Sequence, residues 1–352
     1  MVNVAPITVS EYQSTDEYDL VIDVRSPAEY ELDHIPGALN LPVLDDKERA
    51  IVGTIYVQDN PFRARKVGAA LVSKNIAGML EGPLAGNEKN FHPLIYCWRG
   101  GQRSGSLASV LSQIGWRCTL LQGGYKSFRR RVVADLAAIP GGLKFLCLSG
   151  LTGTGKTRIL QHMAARGFQV LDLEQAASHR GSVLGAQLDQ AQPSQKAFES
   201  RLWQALIGFD VDRPVWIESE SSKIGNVAIP DKLWAALKQA GMIEITMDIE
   251  ARANVLLEDY ADLIREPEIF ANKLNFLTKL HGKKKISSWC DLIEKGAWRT
   301  LALDLLENHY DPAYRRSLKR RKREVKSLQD LPALSQETLD TLVDDLEIKY
   351  GR

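Results

Sequence analysis

One cysteine in this sequence lies in a loop that suits anion chemistry. Cys97 follows the apolar residues 94–96 and opens the segment CWRGGQRS, which leads into a helix predicted from Arg103 to about residue 114. Backbone N–H groups at a helix N-terminus attract anions and lower the pKa of a thiol, and Arg99 and Arg103 add positive charge. The pattern predicts a thiolate nucleophile that handles a tetrahedral oxyanion or a negatively charged sulfur or selenium atom, with Cys97, Arg99 and Arg103 as the catalytic residues.

A second segment, GLTGTGKT at 150–157, fits the phosphate-binding pattern G-x-x-x-x-G-K-[ST]. It follows an apolar strand and precedes a helix, which is the context that this pattern requires. We expect the loop amides around Gly150, Gly153 and Gly155 to cradle phosphate oxygens, Lys156 to neutralise charge and Thr157 to be able to ligate Mg²⁺. A nucleotide is the usual ligand, but any diphosphate meets the same physical demand, so the residues leave the ligand open.

Two acidic residues at strand ends are candidates for a functional role beside this loop. Asp172 ends the next predicted strand, and Glu218 ends the strand 214–218 and could serve as a Walker-B-like carboxylate. Either could equally be a simple strand-end residue. The polar loop 179–182, HRGS, could contact a substrate or be a plain connection.

The net charge of the whole chain is close to zero, although one segment is strongly basic. The formal net charge is +1, yet residues 315–323 read RRSLKRRKR, and acidic residues near the C-terminus offset them in the total. Such a run is usually a solvated helix face, but it is equally a candidate for contacts with RNA phosphates. The candidate RNA-binding residues are Arg315, Arg316, Lys319, Arg320 and Arg321.

The elements that must position these residues form two α/β series. Strand-like runs at 18–24, 94–97 and 117–121 alternate with helical segments, the first opened by a capping box at residues 26–29, SPAE. After the joint Pro140-Gly141-Gly142, strands at 144–149, 169–173, 214–218 and 242–248 alternate with helices at 156–166 and 232–240. From Glu250 onward the pattern predicts helix to the end. We therefore predict two parallel-sheet α/β domains at 1–138 and 139–310, and a helical, basic C-terminal extension at 311–352.

Composition narrows the function classes. The four cysteines, Cys97, Cys118, Cys147 and Cys290, form no CxxC pair and no metal-ligand spacing, and we expect the last three to be core residues. The N-terminal residues lack a signal-peptide pattern, and no apolar run approaches membrane-spanning length. These features predict a cytoplasmic protein with free thiols, no membrane association and no certain metal site.

The first half resembles the rhodanese family. The resemblance rests on DVRSPAEY at 23–30, HIPGALNLP at 34–42 and the Cys97 loop, and it covers roughly residues 5–135. It implies a rhodanese-like fold and a cysteine that carries sulfur as a persulfide. Five residues separate Cys97 from Arg103, where many rhodaneses have four, which predicts a wider anion pocket. That spacing also resembles cysteine phosphatases, although Tyr96 stands where those enzymes usually have His.

The whole chain, a rhodanese-like domain followed by a P-loop NTPase-like domain, resembles the bacterial tRNA 2-selenouridine synthases. The resemblance implies conversion of wobble 2-thiouridine to 2-selenouridine in the tRNAs for Lys, Glu and Gln. Geranyl diphosphate would alkylate the sulfur, selenophosphate would supply selenium, and Cys97 would carry it. The alternatives are a rhodanese-type sulfurtransferase coupled to a P-loop ATPase, a tRNA-binding NTPase with an inactive rhodanese fold, and a cysteine phosphatase.

Overall fold

The chain folds into two units, each built on its own parallel sheet. The structure, a computed structural model, describes residues 5–12, 15–182, 184–186, 190–219, 221–319 and 325–352, with side chains for all of these except 317–319. The first unit comprises Met1–Asp135 with Glu199–Arg201, and the second comprises Leu136–Phe198 with Leu202–Arg352. Among the described residues, no helix combines the length and the apolar character that a membrane crossing needs.

The first unit is a five-stranded parallel sheet with the strand order β1-β5-β4-β2-β3. Its strands are β1 (Ile7–Ser10), β2 (Leu20–Asp23), β3 (Leu39–Asn40), β4 (Pro93–Tyr96) and β5 (Cys118–Leu121). Its helices are α1 (Pro27–Leu32), α2 (Asp46–Gln58), α3 (Pro61–Glu81), α4 (Gln102–Ile114) and α5 (Gly124–Ala138). Every residue of β4 is buried, as expected for a strand covered on both faces. The structure adds α2, which the sequence pattern did not indicate.

The second unit has a parallel sheet of order β12-β11-β6-β8-β7. Its strands are β6 (Lys144–Gly150), β7 (Gln169–Leu171), β8 (Pro214–Glu218), β11 (Gly241–Met247) and β12 (Val325–Leu331), and a short antiparallel pair is formed by β9 (Lys223–Ile224) and β10 (Val227–Ala228). The helices around the sheet are α6 (Lys156–Ala165), α7 (Leu173–Ala177), α8 (Gln195–Ile207) and α9 (Asp231–Gln239). The predicted α/β architecture is confirmed in both units.

A largely helical region follows β11. It contains α10 (Ile249–Asp259), α11 (Ala261–Ile264), α12 (Pro267–Leu274), α13 (Thr278–Glu294), α14 (Trp298–Leu305), α15 (Asp311–Lys319) and α16 (Gln336–Tyr350). Helices α10 to α14 build a core of their own around the fully buried Trp289.

The prediction of unbroken helix after Glu250 is wrong at β12. Residues 325–331 pair in parallel with β11 and extend the sheet at its edge. Leu331, together with Leu342 and Val343 of α16, is buried in the core that covers this sheet. The strand alternates exposed and half-buried residues because it lies at an edge, so its apolar pattern is too weak to distinguish from a helix.

In both sheets the loops of interest lie where the strand order reverses. In the first unit β4 lies on the opposite side of β2 from β3, and Cys97 follows β4. In the second unit β6 lies between β8 and β11, and the P-loop follows β6. Ligands of open α/β sheets bind at the carboxyl ends of strands at such points.

Candidate active site

The Cys97 sulfur is surrounded by hydrogen-bond donors. The hydroxyl of Ser104 donates to Sγ at 3.5 Å, and the backbone N–H groups of Gly101 and Ser104 also point to it. Burial alone would raise the pKa of the thiol, but these donors and the charge of Arg103 outweigh burial and hold the pKa below its ordinary value. Cys97 is 4% exposed, which favours a small donor molecule. This geometry favours the thiolate form of Cys97.

The two arginines of the loop differ in their partners. The guanidinium of Arg103 donates to both carboxylate oxygens of Glu29, at 2.6 and 3.2 Å. Glu29 also accepts from the backbone N–H of Ser26 at 3.2 Å, so the predicted capping box of α1 is confirmed and also fixes Arg103. Arg99 is exposed, and none of the described residues pairs with it. Arg99 is thus available to an incoming anion, whereas Arg103 is held in place.

The first turn of α5 packs against the Cys97 loop, and Gly124 permits this close approach. The first turn of α5 donates two backbone hydrogen bonds to loop carbonyls, from Tyr125 to Cys97 at 2.8 Å and from Lys126 to Trp98 at 3.1 Å. Gly124 has φ +56°, and a Cβ there would overlap the carbonyl oxygen of Cys97. The local sequence pattern does not reveal this role of Gly124, because the contact is with residue 97, which is distant along the chain.

A buried polar network explains the residues at 23–25. Arg25 donates to Asp23 at 2.6 to 3.0 Å, and both side chains are at most 1% exposed. The guanidinium also lies 4.0 Å from the ring centroid of Tyr125, whose hydroxyl donates to Asp33 at 2.7 Å. Since the backbone N–H of Tyr125 also donates to the carbonyl of Cys97, this network anchors the Cys97 loop.

The P-loop takes the conformation that its glycines permit. Gly153 and Gly155 have φ of +84° and +72°, and Gly155 caps the N-terminus of α6. The ammonium of Lys156 donates to the carbonyl of Gly150 at 2.9 Å, so it lies across the loop where phosphate oxygens would be neutralised. A Cβ at position 153 would lie 2.7 Å from the carbonyl oxygen of Arg252, so close packing also requires glycine there.

Thr157 lies between two carboxylates. Its hydroxyl is 3.2 Å from Glu174 and 3.3 Å from the buried Glu218. Sequence analysis named Glu218 but missed Glu174, because Glu174 lies in α7 rather than at a strand end. Asp172 instead caps α7 by accepting from the backbone of Gln175 at 2.8 Å, and burial raises its pKa.

These oxygen donors fit a magnesium ion. Mg²⁺ is usually held by one or two carboxylates together with waters and substrate phosphates. Thr157, Glu174 and Glu218 supply such oxygens beside the P-loop. In the described parts of the chain, no three His, Cys, Asp or Glu side chains form a group that could hold a metal by themselves. A cation here would therefore depend on the phosphate ligand.

The C-terminal helices support the P-loop from outside. The hydroxyl of Tyr314 in α15 accepts from the N–H of Gly150 at 2.9 Å and lies 2.7 Å from the hydroxyl of Ser149. Arg252 donates to the carbonyl of Thr152 at 3.2 Å and forms a buried two-point ion pair with Asp311 at 2.8 and 2.9 Å. Helix α15 is thus fixed on the phosphate site.

Part of the predicted RNA-binding set can be placed. Arg315 and Arg316 are exposed on α15, directly after Tyr314. Lys319 ends this helix, but its side chain is not among those described, and Arg320 and Arg321 lie outside the described residues. Three of the five candidates therefore lie on the helix that contacts the P-loop, two of them with described, exposed side chains.

Two family models match the chain. The model described as the rhodanese-like domain matches residues 8–131. The model described as the tRNA 2-selenouridine synthase AAA domain matches residues 143–295. The Cys97 loop lies within the first match and the P-loop within the second.

Curated relatives match over most of the chain. The tRNA 2-selenouridine synthase of Nitrosomonas europaea is 36% identical over 68% of this chain and 63% of its own length. That of Shewanella denitrificans is 35% identical over 78% of this chain and 72% of its own. A third, from Shewanella sp. strain MR-7, is 31% identical over 86% of this chain and 88% of its own.

Proposed function

The chain belongs to the tRNA 2-selenouridine synthase family of enzymes, and from this we propose that it converts 2-thiouridine in tRNA to 2-selenouridine in two steps. The first step is S-geranylation with geranyl diphosphate at the P-loop, and the second is selenium exchange with selenophosphate at Cys97. The observation that carries the proposal is the pairing of an activated thiol in an anion-binding loop with a diphosphate-binding loop in one chain. The substrates would be the wobble uridines of the tRNAs for Lys, Glu and Gln, and the reaction would take place in the cytoplasm.

The P-loop suits the geranylation step. The thiocarbonyl sulfur of the base forms a bond to C1 of the geranyl group, the C–O bond breaks, and its electron pair leaves on diphosphate. The N3 proton of the base is lost to water. Lys156 and the loop amides stabilise the charge that develops on the leaving diphosphate. Thr157 and Glu218 would hold Mg²⁺ on the same oxygens.

The anion-binding loop suits cleavage of selenophosphate. A selenosulfide on Cys97, formed with release of phosphate, would require a two-electron oxidant, because selenium in selenophosphate is already at the selenide level. We therefore place the attack of the thiolate at phosphorus. An S–P bond forms, the P–Se bond breaks with its electron pair on selenium, and hydrogen selenide is released. Water then hydrolyses the phosphocysteine to phosphate and restores Cys97.

Geranylation prepares the base for selenium. Hydrogen selenide adds to C2 of the S-geranylated base and expels geranylthiolate, which takes a proton from water. The product is the selenocarbonyl with no change of oxidation state. A thioether sulfur leaves more readily than the sulfur of an unmodified thiocarbonyl, so alkylation lowers the barrier to exchange. Arg99, which is exposed and unpaired among the described residues, would hold the phosphate group of the donor.

Single substitutions separate the two steps. Full-length protein is incubated with thiolated tRNA, and the nucleosides are measured by mass spectrometry. We expect Cys97→Ala to form 2-geranylthiouridine and no 2-selenouridine. Lys156→Ala should form neither from thiolated tRNA, but should form 2-selenouridine from tRNA that is already geranylated. Lys144→Ala, an exposed lysine on β6, and Cys290→Ala are matched controls.

Two results would contradict the assignment of the two steps to separate sites. Loss of both activities in each folded variant would mean that the two sites do not act separately. Formation of a persulfide from thiosulfate, with no response to selenophosphate, would favour the sulfurtransferase coupled to an ATPase.

A further inference from the structure

An apolar cavity lies among the helices of the second unit. Leu256 and Leu257 of α10, Phe270 of α12, and Trp298 and Leu305 of α14 contribute to its lining. We call it the apolar pocket. It has about 410 Å³ of empty space, including its open mouth. Cavities with such walls favour hydrocarbon over water.

Two tyrosines contribute to the lining of the apolar pocket. Among its lining residues, hydroxyl groups belong only to Tyr260 and Tyr310. The hydroxyl of Ser182 lies 3.1 Å from that of Tyr260 and also bonds Tyr310. Burial raises the pKa of Tyr260, and the nearby Tyr310 and the negative charge of Glu174 raise it further. Glu174 is therefore within electrostatic range of Tyr260, and the same carboxylate contacts Thr157 of the P-loop.

Helix α10 links the apolar pocket to the P-loop directly. Its residue Arg252 donates to the carbonyl of Thr152 at 3.2 Å. Leu256 follows one helical turn later, which is about 6 Å along the axis at 1.5 Å per residue. The chain also passes from Tyr310 in the pocket wall to Asp311, the partner of Arg252. The pocket and the phosphate site thus share two supporting elements.

We propose that the apolar pocket binds the hydrocarbon chain of a prenyl diphosphate whose diphosphate lies in the P-loop, an inference that rests on the function proposed above. A ligand that fills both sites needs a charged head and an apolar tail. A nucleotide base would leave its ring nitrogens and exocyclic groups without partners against these walls, which is costly. The junction of head and tail would lie near Tyr260, because Tyr260 is within electrostatic range of Glu174, which contacts Thr157.

The proposal predicts selection by chain length. Each buried methylene strengthens binding by about fourfold. Geranyl diphosphate has five carbons more than dimethylallyl diphosphate and, with all five buried, should therefore bind on the order of a thousandfold more tightly. Inorganic pyrophosphate should bind through the P-loop alone.

Ala302, a buried residue of the pocket lining, offers a way to narrow the pocket. Titration calorimetry on the full chain would compare geranyl diphosphate, dimethylallyl diphosphate and inorganic pyrophosphate. In Ala302→Leu we expect affinity for geranyl diphosphate to fall by about tenfold or more, with pyrophosphate affinity unchanged. Ala235→Leu, at an exposed position on α9, is the matched control.

The same titrations separate the two proposals. If Lys156→Ala leaves the affinities for pyrophosphate and geranyl diphosphate unchanged, the P-loop is not the diphosphate site and the proposed function fails. If Lys156→Ala weakens both while Ala302→Leu weakens neither, the P-loop assignment stands and the apolar pocket is overturned as the chain site.

A second variant, Leu305→Ala, tests the same proposal if Ala302→Leu does not fold. Leu305→Ala enlarges the pocket and should shift preference from geranyl diphosphate toward the fifteen-carbon farnesyl diphosphate by about tenfold. An unchanged preference in the folded Leu305→Ala variant would refute the proposal. Thermal unfolding of each variant verifies the fold.

Discussion

Removing one hydroxyl tests how the protein activates its thiol. Ser104→Ala deletes the donor that lies 3.5 Å from Sγ of Cys97, and Ser104 is 4% exposed, so the exchange leaves only a small gap. A hydrogen bond to a charged group contributes about 1.5–3 kcal/mol, and one pH unit of pKa corresponds to about 1.4 kcal/mol. Since 3.5 Å is long and the two backbone donors remain, we expect the pKa of Cys97 to rise by about one pH unit.

The direction of the effect on reactivity follows from this rise. Only the thiolate reacts with iodoacetamide, so at pH values below both pKa values the alkylation rate of Cys97 should be about tenfold lower in Ser104→Ala. The difference should vanish at alkaline pH, where both proteins are fully ionised. Burial raises the pKa of Cys118 to about 11, so its reaction should not overlap that of Cys97.

The assay follows alkylation of the Cys97 peptide by mass spectrometry from acidic to alkaline pH. Ser106→Ala is the control, because its hydroxyl lies on the same helix and donates to the carbonyl of Gln102 at 2.8 Å instead. A midpoint for Ser104→Ala within about 0.3 pH unit of the unmodified protein would refute the reasoning. The hydroxyl would then not stabilise the thiolate.

Two further predictions concern Gly124, which packs against the Cys97 loop, and the basic residues of α15. Gly124 has φ +56°, and Gly124→Ala would place a methyl group against the carbonyl of Cys97. We therefore expect the free energy of unfolding to fall by about 1–3 kcal/mol. The selenium step should slow by about tenfold or more, with geranylation retained. Thermal unfolding and nucleoside mass spectrometry measure this, with Gly141→Ala, which has open space around it, as the control. Replacing both Arg315 and Arg316 by Gln should weaken tRNA binding and reduce the slope of log affinity against log salt concentration by about two. The exposed Arg299→Gln is the control, and an unchanged slope in the double variant would exclude phosphate contacts by these two arginines.

Local patterns predicted the two motif loops and their flanking elements. The apolar runs at Cys97 and Gly150 are the strands β4 and β6, with ends within one residue of those predicted, because a central parallel strand is buried on both faces and reads as continuous apolar sequence. The capping box at Ser26 was equally readable, since its partners lie within one turn. The edge strand β12 was not, because only its pairing with β11 makes it a strand.

By itself, the sequence determined which residues are candidates for the chemistry: a cysteine in a glycine loop, and a phosphate-binding pattern with its lysine and threonine. Only the tertiary structure decided what surrounds them. Gly124 against Cys97, Glu174 beside Thr157 and Tyr314 on Gly150 are contacts between residues distant along the chain. The physical reason is that motif spacing records short-range backbone geometry, whereas packing between separate helices and strands depends on the whole fold.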